Sequence, residues 1–181
     1  MQDWELDKLL TDRAMPHVQA ALGCLLFKAG NAVEDTKEAT DLRILNAQDQ
    51  RVAVRLRSDR YRDKYGGEIT LRYDRPSGTQ SEVEKIMMGF AQWFFYGFID
   101  DSGRLIQYTI INLNGVRLFL WEAKNLVETF CIRNADNSST FLAIPIENFP
   151  KWAIAKQWRR PIYNKQTGVK QISANFGKRA A

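Results

Sequence analysis

Acidic side chains precede an arginine-rich strand in this sequence, and such an arrangement is typical of metal-assisted chemistry on a phosphate. Asp41 stands at the start of a predicted strand, and Glu34 and Glu38 precede it at helical spacing. Hard divalent cations prefer carboxylate oxygens as ligands. Arg55 or Arg57 on the next strand would then stabilise negative charge developing on the phosphate. The alternative is structural, with Asp41 as a cap and the two glutamates on a solvated helix face.

A second candidate for a binding role is the C-terminal segment, residues 151–181, which contains eight basic residues and no acid. The whole chain carries only +5, so the first 150 residues are net negative. A basic segment favours a polyanionic partner, because neutralising phosphates releases counterions. We predict that nucleic acid is bound by Arg159, Arg160, Lys165, Lys170, Lys178 and Arg179. A tail that serves only solubility is the alternative.

Composition excludes several familiar classes of protein. The chain has 181 residues, of which 45% are hydrophobic and 26% charged, and this is the composition of an ordinary single-domain globular protein. The single histidine, His17, excludes two-histidine metal motifs, and no glycine-rich phosphate loop occurs. Cys24 and Cys131 are too few for a disulfide scaffold, so we expect a reducing, cytoplasmic setting. No apolar run reaches the ~18 residues that span a bilayer, so we expect no membrane partner.

The hydrophobic pattern predicts an α/β protein with a central mixed sheet flanked by helices. The first predicted element is a helix that ends near residue 29 and that Pro16 can restart. A hairpin of strands 42–46 and 51–57 follows, then a strand over 68–73 and a helix over 81–92. The remaining elements are a hairpin of strands 93–99 and 105–111, a helix over 116–127 and a last hairpin over 131–145.

Two local signals are specific. Ser81 followed by Glu84 is a capping box, which explains these residues by the start of a helix rather than by catalysis. Residues 93–99 are almost all apolar, which predicts a strand buried on both faces. A stacking role for these aromatic residues is the alternative, with Tyr96 as the side chain expected to point outward.

The element order resembles the PD-(D/E)XK, or restriction-endonuclease-like, superfamily, whose core is a helix, a three-strand meander, a helix and a further strand. The resemblance covers about residues 10 to 120 and rests on Glu34-Asp-Thr-Lys-Glu-Ala-Thr-Asp41-Leu followed by Val52-Ala-Val-Arg-Leu-Arg57. Members place an aspartate near the second core strand and an acid-x-lysine pair on the next strand. Asp41 matches the aspartate, whereas the slot of the acid-x-lysine pair is occupied by Ala53 and Arg55 or by Arg55 and Arg57.

Because arginine cannot ligate a cation, the second metal ligand would come from Glu34, Glu38 or Glu68. The resemblance then implies a phosphodiesterase that uses Mg²⁺ or Mn²⁺ and acts on DNA rather than RNA. It implies one nuclease-like domain over residues 1–150, a C-terminal hairpin and a basic tail over 151–181. It also suggests a phage or mobile-element protein, and it allows a homodimer, since many such nucleases pair to cut two strands.

Two alternatives from other functional classes stay open. The chain is either a catalytically inactive member that keeps nucleic-acid binding and regulates, or an accessory protein that binds another protein through an apolar edge. Metal-dependent cleavage, salt-sensitive binding without cleavage, and salt-insensitive binding to a protein distinguish the three.

Overall fold

A computed structural model of the chain describes residues 3–29, 42–44, 51–74, 78–123, 127–134, 139–160, 162–163 and 170–171. Within these residues the helices are α1 (Asp3–Leu26), α2 (Arg62–Tyr65), α3 (Glu82–Met87) and α4 (Leu113–Glu122). No helix in the described part of the chain is long and apolar enough to cross a membrane.

The strands fall into two larger sheets and two short pairs. The main sheet has the order β3 (Val52–Ser58), β5 (Trp93–Ile99), β6 (Leu105–Asn112) and β9 (Ile154–Arg159). The second sheet has the order β4 (Glu68–Asp74), β8 (Thr140–Pro145) and β7 (Cys131–Arg133). The short pairs join β1 (Phe27–Ala29) to β2 (Leu42–Ile44) and β10 (Ile162–Tyr163) to β11 (Lys170–Gln171).

The main sheet is mixed, because β3 runs parallel to β5 whereas β5, β6 and β9 are antiparallel. A tight turn joins β5 to β6, and its Gly103 adopts a φ of 80°, a conformation that glycine reaches without steric cost. The predicted α/β class with a mixed sheet and flanking helices is therefore confirmed.

The main sheet lies between α1 and the second sheet. On one face, Phe95 and Ile110 pack against Ala14 and Val18 of α1. On the other face, the side chains of β5 share a core with β4 and β8 of the second sheet and with α4. Strand β5 is buried on both faces, as its apolar run predicts.

The predicted hairpin between strands 42–46 and 51–57 is wrong. Strand β2 pairs with β1, whereas β3 pairs with β5. The pairing of β3 depends on a strand that is distant in the sequence. Strand β5 is apolar throughout, and β3, in which apolar and polar residues alternate, covers the edge of β5 that would otherwise be unpaired. Strand β4 belongs to the second sheet, so the three successive strands do not form a meander.

Several element boundaries also differ from the prediction. Helix α1 continues through Pro16 and ends at Leu26, before the predicted end. Helix α3 ends at Met87 and α4 begins at Leu113, both earlier than expected. The capping box at Ser81 is confirmed, because its hydroxyl accepts from the Glu84 amide at 3.1 Å and the Glu84 carboxylate accepts from the Ser81 amide at 2.6 Å.

Tyr96 and the segment 154–159 both lie inside the fold, unlike their predicted positions. Tyr96 does not point outward, since it is only 2% exposed and its hydroxyl lies 2.9 Å from Thr70 Oγ1, which satisfies the polar tip inside the core. Residues 154–159, which the sequence analysis placed in the basic tail, form strand β9 of the main sheet. The basic segment therefore begins inside the fold.

Candidate functional site

Arg55 projects from β3 towards the second sheet and is held there by two acceptors. Its Nη1 donates to the Thr70 carbonyl at 3.2 Å and to the Glu82 carboxylate, with which it forms an ion pair. The same Oε2 of Glu82 accepts from the Arg72 amide at 2.9 Å. Glu82 thus ties β3, β4 and the start of α3 together through charge-assisted hydrogen bonds.

Arg57, two residues further along β3, is held by other partners on the same side. Its Nη1 donates to Thr70 Oγ1 at 2.7 Å. Its guanidinium carbon lies 4.8 Å from the ring centroid of Tyr61 and 5.0 Å from that of Tyr65, which are cation–π distances. Arg57 is therefore oriented by hydrogen bonding and by two aromatic rings.

The candidate metal ligands are only partly within the described residues. Glu68 is 6% exposed and lies on the face of β4 that also carries Thr70, since side chains alternate along a strand. Asp41, Glu34 and Glu38 lie outside the described residues. Among the residues that the structure does describe, no group of three or more histidine, cysteine, aspartate or glutamate side chains could hold a metal ion.

A cavity of about 500 Å³ opens beside Arg55, between β3, β4 and α3. We call it the β3–α3 cavity. Its charged lining consists of Glu82 and four cations, which are Arg51, Arg55, Arg72 and Lys85. Of the predicted catalytic residues, Arg55 contributes to this lining and Arg57 does not.

A second concave surface lies on the opposite side of the main sheet, between α1 and β9. It has a volume of about 420 Å³, and we call it the α1–β9 groove. Three full cations line it, Arg104, Lys156 and Arg160, together with His17 of α1. Among the described residues its lining contains no acidic side chain, so the groove is electropositive.

Aromatic rings form the base of the α1–β9 groove. Phe95 stacks on Tyr108 with ring centroids 5.2 Å apart, and Tyr108 stacks on Trp158 at 5.5 Å. Both pairs are offset and close to parallel, with interplanar angles of 23° and 27°. Phe95 and Tyr108 are buried whereas Trp158 is only partly buried, so Trp158 is the outermost ring of the stack.

Asp100 holds two of the groove's cations in place. Its Oδ2 lies 3.2 Å from Arg104 Nε and 3.4 Å from Arg160 Nη1. Burial alone would raise the pKa of this carboxyl, but hydrogen bonds from Ser102 and from the Arg104 amide, with the Arg104 charge, lower the pKa to about 2. Asp100 is therefore ionised at neutral pH and keeps both arginines at the edge of the groove.

The geometry of β9 places only some of the predicted nucleic-acid contacts in the groove. Arg160 follows the strand and lines the groove, whereas Arg159 is not part of the lining, because successive residues of a strand alternate between faces. Lys170 lies in β11, and its side chain is outside the described part of the chain. Lys165, Lys178 and Arg179 also lie outside the described residues.

Three lining residues of the groove, Lys156, Trp158 and Tyr108, are not among the predicted site residues. A signal was present, since Lys156, Trp158 and Arg160 alternate with other residues and so share one face of a strand. The assignment of this segment to a tail concealed that alternation. The pairing of Trp158 with Tyr108, which the register of β9 and β6 brings directly opposite each other, requires the folded sheet.

Comparison with known proteins adds no family assignment. The chain matches no known protein-family model and no curated protein sequence.

Proposed function

We propose that this protein binds single-stranded nucleic acid in the α1–β9 groove. The observation that carries the proposal is the combination, in one groove, of three cations with the partly exposed end of an aromatic stack. Proteins that bind single strands combine these two features, because cations neutralise the backbone while aromatic rings stack on unpaired bases.

The cations supply the contacts to the backbone. Lys156 lies on β9, Arg160 directly follows that strand, and Arg104 directly precedes the neighbouring strand β6. The Asp100 carboxylate that holds the two arginines is not itself part of the lining, and the described lining residues include three cations and no acid. Such a site attracts phosphates and releases their counterions on binding.

The aromatic stack favours a single strand over a duplex. Among the aromatic rings that the structure describes, Trp158 stacks on Tyr108 alone, and it lines the open groove. A base stacked on its outer face would extend the series of rings by one, and this requires a base that is not already enclosed in a double helix. Stacking accepts every base, so we expect little sequence preference.

The test is fluorescence anisotropy with labelled single-stranded DNA, single-stranded RNA and duplex DNA of equal length, titrated at several salt concentrations. We expect single strands to bind more tightly than the duplex. The plot of log affinity against log salt should have a slope of about −2 or steeper, because three neutralised phosphates of a single strand contribute about −0.7 each. Tighter binding of the duplex, or a slope near zero, would contradict the proposal, and a flat slope would favour the protein-binding alternative.

Metal-dependent cleavage of nucleic acid by a restriction-endonuclease-like core, with its C-terminal hairpin, is a second proposal. Two observations support it: the buried Glu68 lies on the strand face of Thr70, to which Arg57 is hydrogen-bonded, and β3 and β5 pair in parallel with α3 between them in the chain. Asp41, with Glu34, Glu38 or Glu68, would hold Mg²⁺ or Mn²⁺, and the ion would activate a water molecule.

Cleavage is tested on the same oligonucleotides with Mg²⁺ or Mn²⁺ and with chelator. We expect products only when the metal is present, and we expect Asp41→Asn to abolish them while binding persists. Binding without cleavage by the unmodified chain would overturn the second proposal and leave a nucleic-acid-binding protein without catalytic activity.

A further inference from the structure

We propose that the β3–α3 cavity binds a free mononucleotide, with its phosphate on Arg51 and Lys85 and its base over the apolar lining. This site differs from the α1–β9 groove, because the two open on opposite faces of the main sheet. Ala53 and Phe94 line the cavity and belong to the core shared with the second sheet, whereas Tyr108 and Trp158 belong to the core under α1.

The size of the cavity suits a ligand of this class. Its volume of about 500 Å³ lies within the range of roughly 300–1,000 Å³ that is usual for small-molecule sites. Strands β3 and β4 and helix α3 provide its walls, and these are held together by the contacts of Glu82. The cavity is therefore formed before a ligand binds.

Two cations of the lining are not neutralised by any acidic side chain in the described part of the chain. Arg55 is paired with Glu82, but Arg51 and Lys85 form no ion pair with any described residue. Both side chains are exposed and both line the cavity. Cations placed at the rim of a cavity recognise a phosphate or another anion.

Apart from Gln80, the remaining lining is apolar and can take a flat ring. Ile86, Ala91 and Phe94 contribute to it, and Phe90 stands at its edge with 48% of its surface exposed. An aromatic ring that is exposed beside a preformed cavity offers a stacking surface to a planar ligand. A ligand with an anionic end and a planar apolar end matches both parts of the lining.

Glu82 adds an acceptor that selects among planar ligands. Its Oε2 accepts from Arg55 and from the Arg72 amide, whereas its Oε1 has no donor among the described residues. An ionised carboxylate only accepts hydrogen bonds. Oε1 therefore favours a ring that carries N–H donors, and guanine, with a ring N–H beside an amino group, presents two of them.

The test is isothermal titration calorimetry with GMP, guanosine and inorganic phosphate as separate probes. We expect GMP to bind at least ten-fold more tightly than either of its parts. We expect Arg51→Ala and Lys85→Ala to weaken GMP binding about ten-fold each, with unchanged thermal midpoints because both side chains are exposed. The matched control is Lys64→Ala, which removes an exposed cation of α2 that lies outside the cavity lining, and it should leave GMP binding unchanged.

Three outcomes would overturn the proposal: no GMP binding at millimolar concentration, phosphate binding as tight as that of GMP, or unaltered GMP binding in both cavity variants. Lys156→Glu, which changes the α1–β9 groove, should leave GMP binding intact. The proposals for the cavity and for the groove can therefore be rejected independently of each other.

Discussion

Lys156→Glu is expected to lower the affinity for single-stranded nucleic acid about 30-fold. Lys156 lines the α1–β9 groove, and its ammonium lies 5.9 Å from the ring centroid of Tyr108. The substitution removes one attraction to a phosphate and adds one repulsion, each worth about 1 kcal/mol near a protein surface at moderate salt. Anisotropy titrations at two salt concentrations measure the change, and the slope of log affinity against log salt should become less negative by about 1.

Lys151→Glu is the matched control for this variant. Lys151 belongs to the same basic segment and is exposed, but it lies in the turn before β9 and does not line the groove. The two variants have the same net charge, so a diffuse electrostatic attraction would weaken equally in both. We expect Lys151→Glu to change the affinity less than about three-fold. Equal losses of affinity in the two variants would show that binding depends on the general charge of the segment, and they would contradict a role for the groove.

Much of the fold could be predicted from local sequence. The apolar run of β5 and the capping box at Ser81 are signals contained in a few adjacent residues, and both are confirmed. The partner of β3 could not be predicted in this way. Its alternating pattern specifies which face is buried, but it does not distinguish pairing with β2 from pairing with β5, which depends on contacts distant in sequence.

The candidate sites were less predictable than the fold, because each is assembled from distant segments. Arg55 was recognised as a candidate from its strand, but its partner Glu82 stands on a helix that the sequence explains by capping alone. Trp158 becomes a stacking residue only because β9 pairs with β6 and places it opposite Tyr108. Charge is visible in composition, whereas the aromatic surface beside it requires the sheet register.

Gly115→Ala is expected to lower the free energy of unfolding by about 2 kcal/mol. A Cβ atom at Gly115 would overlap the side chain of Ala153, which is fully buried in the turn that leads into β9. Because backbone atoms of Ala153 lie directly behind, the clash cannot be relieved by a side-chain rotation, and α4 or the turn must move. Thermal denaturation should show a midpoint lower by roughly 4–8 °C for a chain of this size.

Gly23→Ala is the matched control, because Gly23 also lies in a helix but a Cβ atom there would meet no atom of the described residues within 4 Å. Alanine loses less conformational entropy than glycine on entering a helix, so this variant should gain about 0.5–1 kcal/mol. Opposite signs for the two substitutions would show that Gly115 is required for close approach rather than for chain flexibility. The close approach of α4 to the turn before β9 positions the start of that strand. Gly115→Ala should therefore also weaken nucleic-acid binding in the groove. Equal stability of the two variants would contradict the close packing of α4 against this turn.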